Sequence, residues 1–168
     1  MSEIGRRSAL RLIGSTPLAV GFGLSAASAG IAHAHALTAL AAGTRGTAYK
    51  PRFFTPHEWQ TVRVLVDVII PRDARSGSAT DAGVPEFMDF MLGESAGMRT
   101  WMKNGLGWMN AECRNRFRKG FVSCSDAQRR ELLDAIAFPK RASAEMKPGV
   151  DFFHSFRNLT ASGFFSSR

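Results

Sequence analysis

Hydrophobic positions from residue 55 onward recur at spacings of three and four, the period of a helix that buries one face. The clearest helix start is Thr55-Pro56-His57-Glu58, where a threonine, a proline and a glutamate stand at the positions of a capping box. The apolar stripe behind it is Trp59, Val62, Leu65, Val66 and Ile69. Because Pro71 cannot continue a helix, the pattern predicts a helix over residues 56–70.

Further segments show the same period and have recognisable ends. They run from Pro85 to Gly93, from Met98 to Phe117, from a second capping box at Ser125 to Pro139, and from about Pro148 to Gly163. Gly105 and Gly107 predict that the stretch 98–117 forms either two helices or one bent helix. No segment alternates over the length of a strand. The prediction is an all-α fold, a single domain built as an irregular bundle of five or six short helices.

The N-terminal region carries cations at its start and an uncharged apolar stretch behind them. Arg6, Arg7, Leu10 and Arg11 resemble the twin-arginine export signal, with Ala9 where that signal usually has phenylalanine. The apolar stretch is rich in glycine and poor in the large side chains that hold a helix in lipid. It predicts a removable signal, and an uncleaved N-terminal anchor stays open as the alternative.

The repeated Ala-His-Ala pattern over 32–36 suits a signal peptidase, so we expect cleavage after residue 34 or 36. The predicted organisation is a signal over 1–36, a flexible N-terminal arm over 37–50 and a helical domain over 51–168. The arm is predicted because residues 37–50 are rich in Ala, Gly and Thr and have no sustained period.

The formal net charge is +8, and removal of residues 1–36 leaves +6, because 19 Lys and Arg then stand against 13 Asp and Glu. The densest basic group is Arg114, Arg116, Arg118 and Lys119, followed by Arg129 and Arg130. No nucleic-acid reading motif accompanies this group, so nucleic-acid binding is not expected. A solvated helix face and a surface for an acidic partner both stay open. The candidate partner interface comprises Arg114, Arg116, Arg118, Arg157, Phe164 and Phe165.

Cys113 and Cys124 lie 11 residues apart and are the two cysteines of the chain. In an exported protein they are a candidate disulfide, and two free thiols are the alternative. In the chain-entropy model a loop of this size contributes about 2.5–3 kcal/mol. The spacing matches neither covalent haem attachment nor a zinc site, so neither cofactor is predicted in this chain.

Gly93-Glu94-Ser95-Ala96-Gly97 matches the Gly-x-Ser-x-Gly motif of serine hydrolases, and Asp134 or Asp151 and then His154 follow in the matching order. That motif requires a strained turn between a strand and a helix, whereas the preceding segment has a helical period. We therefore expect a helix-ending glycine and no hydrolase.

The remaining polar groups give no catalytic, cofactor-binding or metal-binding site. His33 and His35 lie beside the predicted cleavage position, and His57 lies in a first helical turn where exposure is expected. Glu86 and Asp89 share a helix face, which predicts a solvated pair of carboxylates.

Short stretches at the helix ends carry a resemblance to a known family. They are Phe54 to Glu58, Ile69 to Arg72, Asp81 to Asp89, Gly105 to Met109, Ala137 to Pro139, Phe152-Phe153, and Arg157 to Ser167. Together they resemble the small subunit of membrane-associated gluconate 2-dehydrogenase, the subunit 3 family, over nearly the whole chain after residue 36. Members of that family usually continue into a Gly-Asn-containing tail, so a truncated C-terminus is one expectation for a sequence that stops at Arg168.

The resemblance implies a non-catalytic subunit without a cofactor of its own. Its partners would be a large FAD-containing flavoprotein that oxidises a sugar or sugar acid, and a multihaem cytochrome c that accepts the electrons. In such systems the flavoprotein lacks an export signal, and the small subunit takes it through the twin-arginine translocase. The complex would be periplasmic and peripheral to the inner membrane. A stand-alone periplasmic helical binding protein is the alternative.

Overall fold

The computed structural model describes residues 30–32, 34–38 and 49–166, and within these residues it contains helices and no β-strand. The helices of the main domain are α1 (Pro56–Ile69), α2 (Val84–Glu94), α3 (Ala96–Phe117), α4 (Asp126–Ala137) and α5 (Lys147–Phe165). Two single turns of 3₁₀-helix, Phe121–Ser123 and Ala144–Met146, precede α4 and α5. Residues 30–32 and 34–38 are also helical. The predicted all-α irregular bundle in a single domain is confirmed.

Both predicted capping boxes are formed. Thr55 Oγ1 accepts a hydrogen bond from the Glu58 amide at 3.3 Å, and Glu58 Oε2 accepts one from the Thr55 amide at 2.8 Å. Ser125 and Gln128 make the same reciprocal pair at the start of α4. Each box satisfies two amides that a helix start would otherwise leave unpaired, so these starts are set by local sequence.

The helix α3 is one continuous helix, so the alternative of two helices separated at Gly105 and Gly107 is wrong. The reason for a glycine at 105 is packing against α5. A Cβ atom at that position would lie 1.9 Å from Cδ2 of Phe152, so a larger residue would hold the two helices apart. Gly107 faces open space.

The helix α5 packs against each of the other four helices and forms the centre of the bundle. Its predicted end at Gly163 is wrong, because the helix continues to Phe165. Gly163 is buried, and a Cβ atom there would lie 2.8 Å from Cδ1 of Phe87 on α2. Close approach to a neighbouring helix therefore explains this glycine, just as it explains Gly105. The predicted end of α2 at Gly93 is one residue short, since α2 ends at Glu94.

Methionine fills much of the space between the helices. Met88, Met91, Met98, Met102 and Met109 are each at most 1% exposed, as core residues are. Among the helices that the structure describes, none combines the length and the apolar character that crossing a membrane requires.

The residues of the predicted export signal, Arg6, Arg7, Leu10 and Arg11, lie outside the described residues. The predicted cleavage region is described in part. Residues 34–38 are helical, and the ring of His35 lies against Phe90, with 4.9 Å between the ring centroids. The boundaries of the signal and of the arm stay predictions.

Candidate partner interface and cysteine pair

Some side chains of the predicted basic group extend into solvent, and others make contacts that stabilise the fold. Arg114, Arg116, Arg118, Lys119 and Arg130 are all exposed. Arg116 also makes contacts within the molecule, since its Nε is 2.6 Å from Glu112 Oε1 and its Nη2 is 3.3 Å from the sulfur of Met146. Arg116 therefore bridges α3 and the turn before α5.

Arg129 stabilises the chain reversal before α4. Its Nη2 donates to the Val122 carbonyl at 2.6 Å, its Nε donates to the Phe121 carbonyl at 3.1 Å, and its Nη1 pairs with Asp126 at 2.8 Å. These contacts use three of its five N–H groups, so this guanidinium belongs to the fold rather than to a docking surface.

The aromatic members of the predicted interface have different environments. Phe164 is 4% exposed and belongs to the core, whereas Phe165 is 43% exposed. Their rings meet edge to face, with 5.5 Å between the centroids. Only Phe165 therefore presents an aromatic surface to solvent.

Arg157 is half-buried on α5. Its Nε is buried and has no hydrogen-bond partner among the described residues. Because burial disfavours the charged form, the pKa of Arg157 lies below its ordinary value.

Cys113 and Cys124 are both buried, and both are free thiols in this structure. Burial raises the pKa of Cys113 to about 12, and the neighbouring Cys124 thiol contributes to this shift. A thiolate is the reactive form of cysteine, so the folded protein keeps Cys113 in its unreactive form at neutral pH. The fold brings the two predicted disulfide partners together without a bond between them, and the disulfide stays a prediction.

The Gly-x-Ser-x-Gly segment is a junction between two helices. Ser95 accepts a hydrogen bond from the Met98 amide at 3.3 Å and caps α3. Leu92, which precedes the motif, lies in the last turn of α2 rather than in a strand, and His154 lies exposed on α5. The strained turn that activates such a serine is therefore not formed at Ser95.

A buried carboxylate on α2 is the polar site that the sequence analysis missed. Asp89 is 0% exposed, which contradicts the prediction of a solvated carboxylate. Its Oδ2 accepts hydrogen bonds from the Tyr49 hydroxyl at 2.7 Å and the Arg52 amide at 2.8 Å, and its Oδ1 accepts one from the Phe53 amide at 3.0 Å. Asp89 therefore fixes the irregular segment before α1 onto α2.

Glu86 lies one turn before Asp89 and is also buried, so the prediction of a solvated pair is wrong for both. Glu86 is 4% exposed, and its Oε2 has no hydrogen-bond partner among the described residues. Burial raises the pKa of Glu86, with a small further contribution from Asp89, while the charge of Arg63 lowers it.

Phe53 separates two concavities on the molecular surface. The first encloses about 220 Å³ between the start of α1 and the helices α2 and α3, and the second encloses about 200 Å³ beside the C-terminal end of α2. Arg99 and Lys103 line the first, and Arg52 lines the second. We call Phe53 with these three cations the Phe53 surface.

Within the described part of the chain, no group of His, Cys, Asp and Glu side chains is arranged to hold a metal ion. His57 and His154 are both exposed.

Comparison with known proteins gives one match. The family model described as gluconate 2-dehydrogenase subunit 3 matches residues 56–168, which is more than half of the chain. No curated protein and no solved structure matches the sequence. The matched region contains all five helices from α1 to α5, so the family assignment covers the helices of the main domain. The chain belongs to the gluconate 2-dehydrogenase subunit 3 family.

Proposed function

We propose that this chain is the non-catalytic small subunit of a periplasmic, membrane-associated, FAD-dependent dehydrogenase of the gluconate type, which acts on a sugar or sugar acid. The observation that carries the proposal is the family match over residues 56–168. In this role the chain binds a large flavoprotein that holds FAD, supports its assembly, and escorts it through the twin-arginine translocase. A multihaem cytochrome c accepts the electrons.

The escort role draws on the N-terminal sequence. Arg6, Arg7, Leu10 and Arg11 resemble a twin-arginine signal, a type that carries cargo folded in the cytoplasm. The described domain supports this route, because it buries a continuous core while Cys113 and Cys124 remain free thiols. A fold that does not depend on a disulfide suits assembly in a reducing compartment.

The non-catalytic role is supported by the way the fold uses its reactive residue types. Ser95 caps a helix, the thiols are buried, and Asp89 accepts three hydrogen bonds from the chain around it. These groups serve the fold, and the oxidation chemistry is assigned to the flavoprotein.

The test is co-expression of the tagged full chain with its proposed partner, the FAD-containing subunit of a gluconate-type dehydrogenase. We expect the purified chain to bring down stoichiometric flavin absorbance, and the flavoprotein to reach the periplasm. The double variant Arg6→Lys with Arg7→Lys should leave both proteins in the cytoplasm.

The matched control is Arg72→Lys with Arg75→Lys, the same double exchange in an exposed loop of the domain. Export of the flavoprotein by the Arg6 and Arg7 variant would remove the escort role. A chain that reaches the periplasm alone and never retains flavin would favour the stand-alone binding protein.

A further inference from the structure

The Phe53 surface is held rigid by the buried carboxylate beneath it. Asp89 accepts hydrogen bonds from the amides of both Arg52 and Phe53, although Phe53 itself is 39% exposed. The Phe53 ring also lies over α2, where a Cβ atom at Gly93 would be 3.3 Å from its Cε2. An exposed aromatic side chain that is already ordered loses little conformational entropy when a partner covers it.

Cations surround the exposed ring. The guanidinium carbon of Arg99 lies 5.5 Å from the Phe53 ring centroid, and that of Arg52 lies 5.9 Å from it, both within cation–π range. Arg99 is fixed there because its Nη1 donates to the Leu92 carbonyl at 2.6 Å. Exposed phenylalanine beside arginine is the composition of an interface centre.

Arg52, Arg99 and Lys103 outnumber Glu58 and Glu94, the two carboxylates that line the concavities. Within the described residues, neither Arg52 nor Lys103 forms an ion pair. The carboxylate of Glu58 faces the first concavity but already accepts the Thr55 amide and hydroxyl, both at 2.8 Å. Unpaired cations around an ordered aromatic ring attract a segment that carries carboxylates.

The volume of the two concavities favours amino-acid side chains over a small-molecule ligand as their occupants. Each encloses about 200 Å³, below the roughly 300 Å³ at which small-molecule pockets begin. Leu92, Met102 and Leu106 line the first, so it accepts an apolar side chain. Two small concavities on either side of a ring fit successive side chains of a polypeptide.

We propose that the Phe53 surface is the docking site for an acidic, extended segment of the partner flavoprotein, with an apolar side chain of that segment in the concavity lined by Leu92 and Met102. This proposal rests on the proposed function. It places the interface at the start of α1 and the ends of α2, away from the basic group around Arg114.

The first test is photo-crosslinking in the co-expressed complex. p-Benzoylphenylalanine replaces Phe53, and as the matched control it replaces Phe138, a phenylalanine of similar exposure that directly follows α4. We expect position 53 to crosslink to a flavoprotein peptide rich in Asp and Glu, and position 138 to give at least about tenfold less product. A crosslink from position 53 to residues 39–48 of the same chain, or to a second copy, would overturn the proposal.

The second test is charge reversal. Arg52→Glu with Lys103→Glu should reduce flavoprotein capture at least about tenfold, whereas the same reversal at two exposed cations elsewhere, Arg75→Glu with Lys140→Glu, should leave it within about twofold. Added salt should weaken capture by the wild type. Circular dichroism verifies that each variant is folded.

The outcomes separate the two proposals. Undiminished capture by the Arg52 and Lys103 variant, beside full capture by the wild type, refutes the docking site alone. Failure of the wild-type chain to capture any flavoprotein refutes the proposed function and the docking site with it.

Discussion

The contact between α3 and α5 at Gly105 allows the packing of this bundle to be tested with a single methyl group. A Cβ atom at residue 105 would lie 1.9 Å from Cδ2 of Phe152 and 2.3 Å from its Cε2 and Cγ. Phe152 is 3% exposed, and its ring lies against Trp101 and Phe156 with centroid separations of 5.3 and 5.4 Å. The ring has no free space to move into, so Gly105→Ala forces the two helices apart.

Two opposing effects determine the magnitude. Alanine in place of glycine within a helix stabilises the protein by about 1 kcal/mol. Overpacking of a core costs about 1–3 kcal/mol, and a contact this short places Gly105→Ala at the upper end of that range. We expect a net loss of about 2 kcal/mol, which lowers the melting temperature by roughly 8 °C in a domain of this size.

Gly107→Ala is the matched control on the same helix. Nothing lies within 4 Å of a Cβ atom at this position, so only the helix propensity changes, and the variant should gain about 0.5–1 kcal/mol. Urea unfolding of both variants and the wild type, followed by far-UV circular dichroism, measures the differences. If Gly105→Ala proved as stable as Gly107→Ala, the close packing of α3 on α5 would be refuted.

Three further predictions concern buried polar groups. Asp89→Asn should destabilise the protein by about 2–3 kcal/mol in urea unfolding, because an amide cannot accept all three hydrogen bonds; an unchanged midpoint would contradict the role of Asp89. Burial raises the pKa of Glu86, so the folded state retains its proton where the unfolded chain has lost it, and stability falls as pH rises through the folded-state pKa. Glu86→Gln should abolish that fall and be the more stable protein at neutral pH, and equal pH profiles for variant and wild type would refute this. A disulfide between Cys113 and Cys124 should form only after export and contribute no more than about 3 kcal/mol, and two alkylated thiols in the denatured, unreduced periplasmic protein would show that it does not form.

The ends of several helices could be predicted from sequence because their signals are local. The capping boxes at Thr55 and Ser125 need only four consecutive residues, and Pro71 and Pro139 stop helices by their own chemistry. These features depend on no distant part of the chain. Sequence alone therefore gave the all-α class and the order of the helices.

The glycines show where local reasoning fails. The sequence pattern predicts a kink or break at Gly105 and a helix end at Gly163, which are the common uses of glycine within a helical pattern. In the fold each accommodates an aromatic ring of another helix, Phe152 at one position and Phe87 at the other. The identity of that ring depends on how the helices cross, and one helix's own sequence does not contain that information.

The burial of the two carboxylates on α2, Glu86 and Asp89, could have been predicted from the sequence. Glu86 and Asp89 are the only polar residues from Val84 to Leu92, so the sequence of this part of α2 offers no polar face. A helix that is apolar all round lies inside its domain, and a carboxylate within it must find donors or keep its proton. Asp89 finds donors, and burial raises the pKa of Glu86, which favours its protonated form. The sequence of α2 thus indicates that Asp89 has partners, while only the fold identifies them as the segment that presents Phe53.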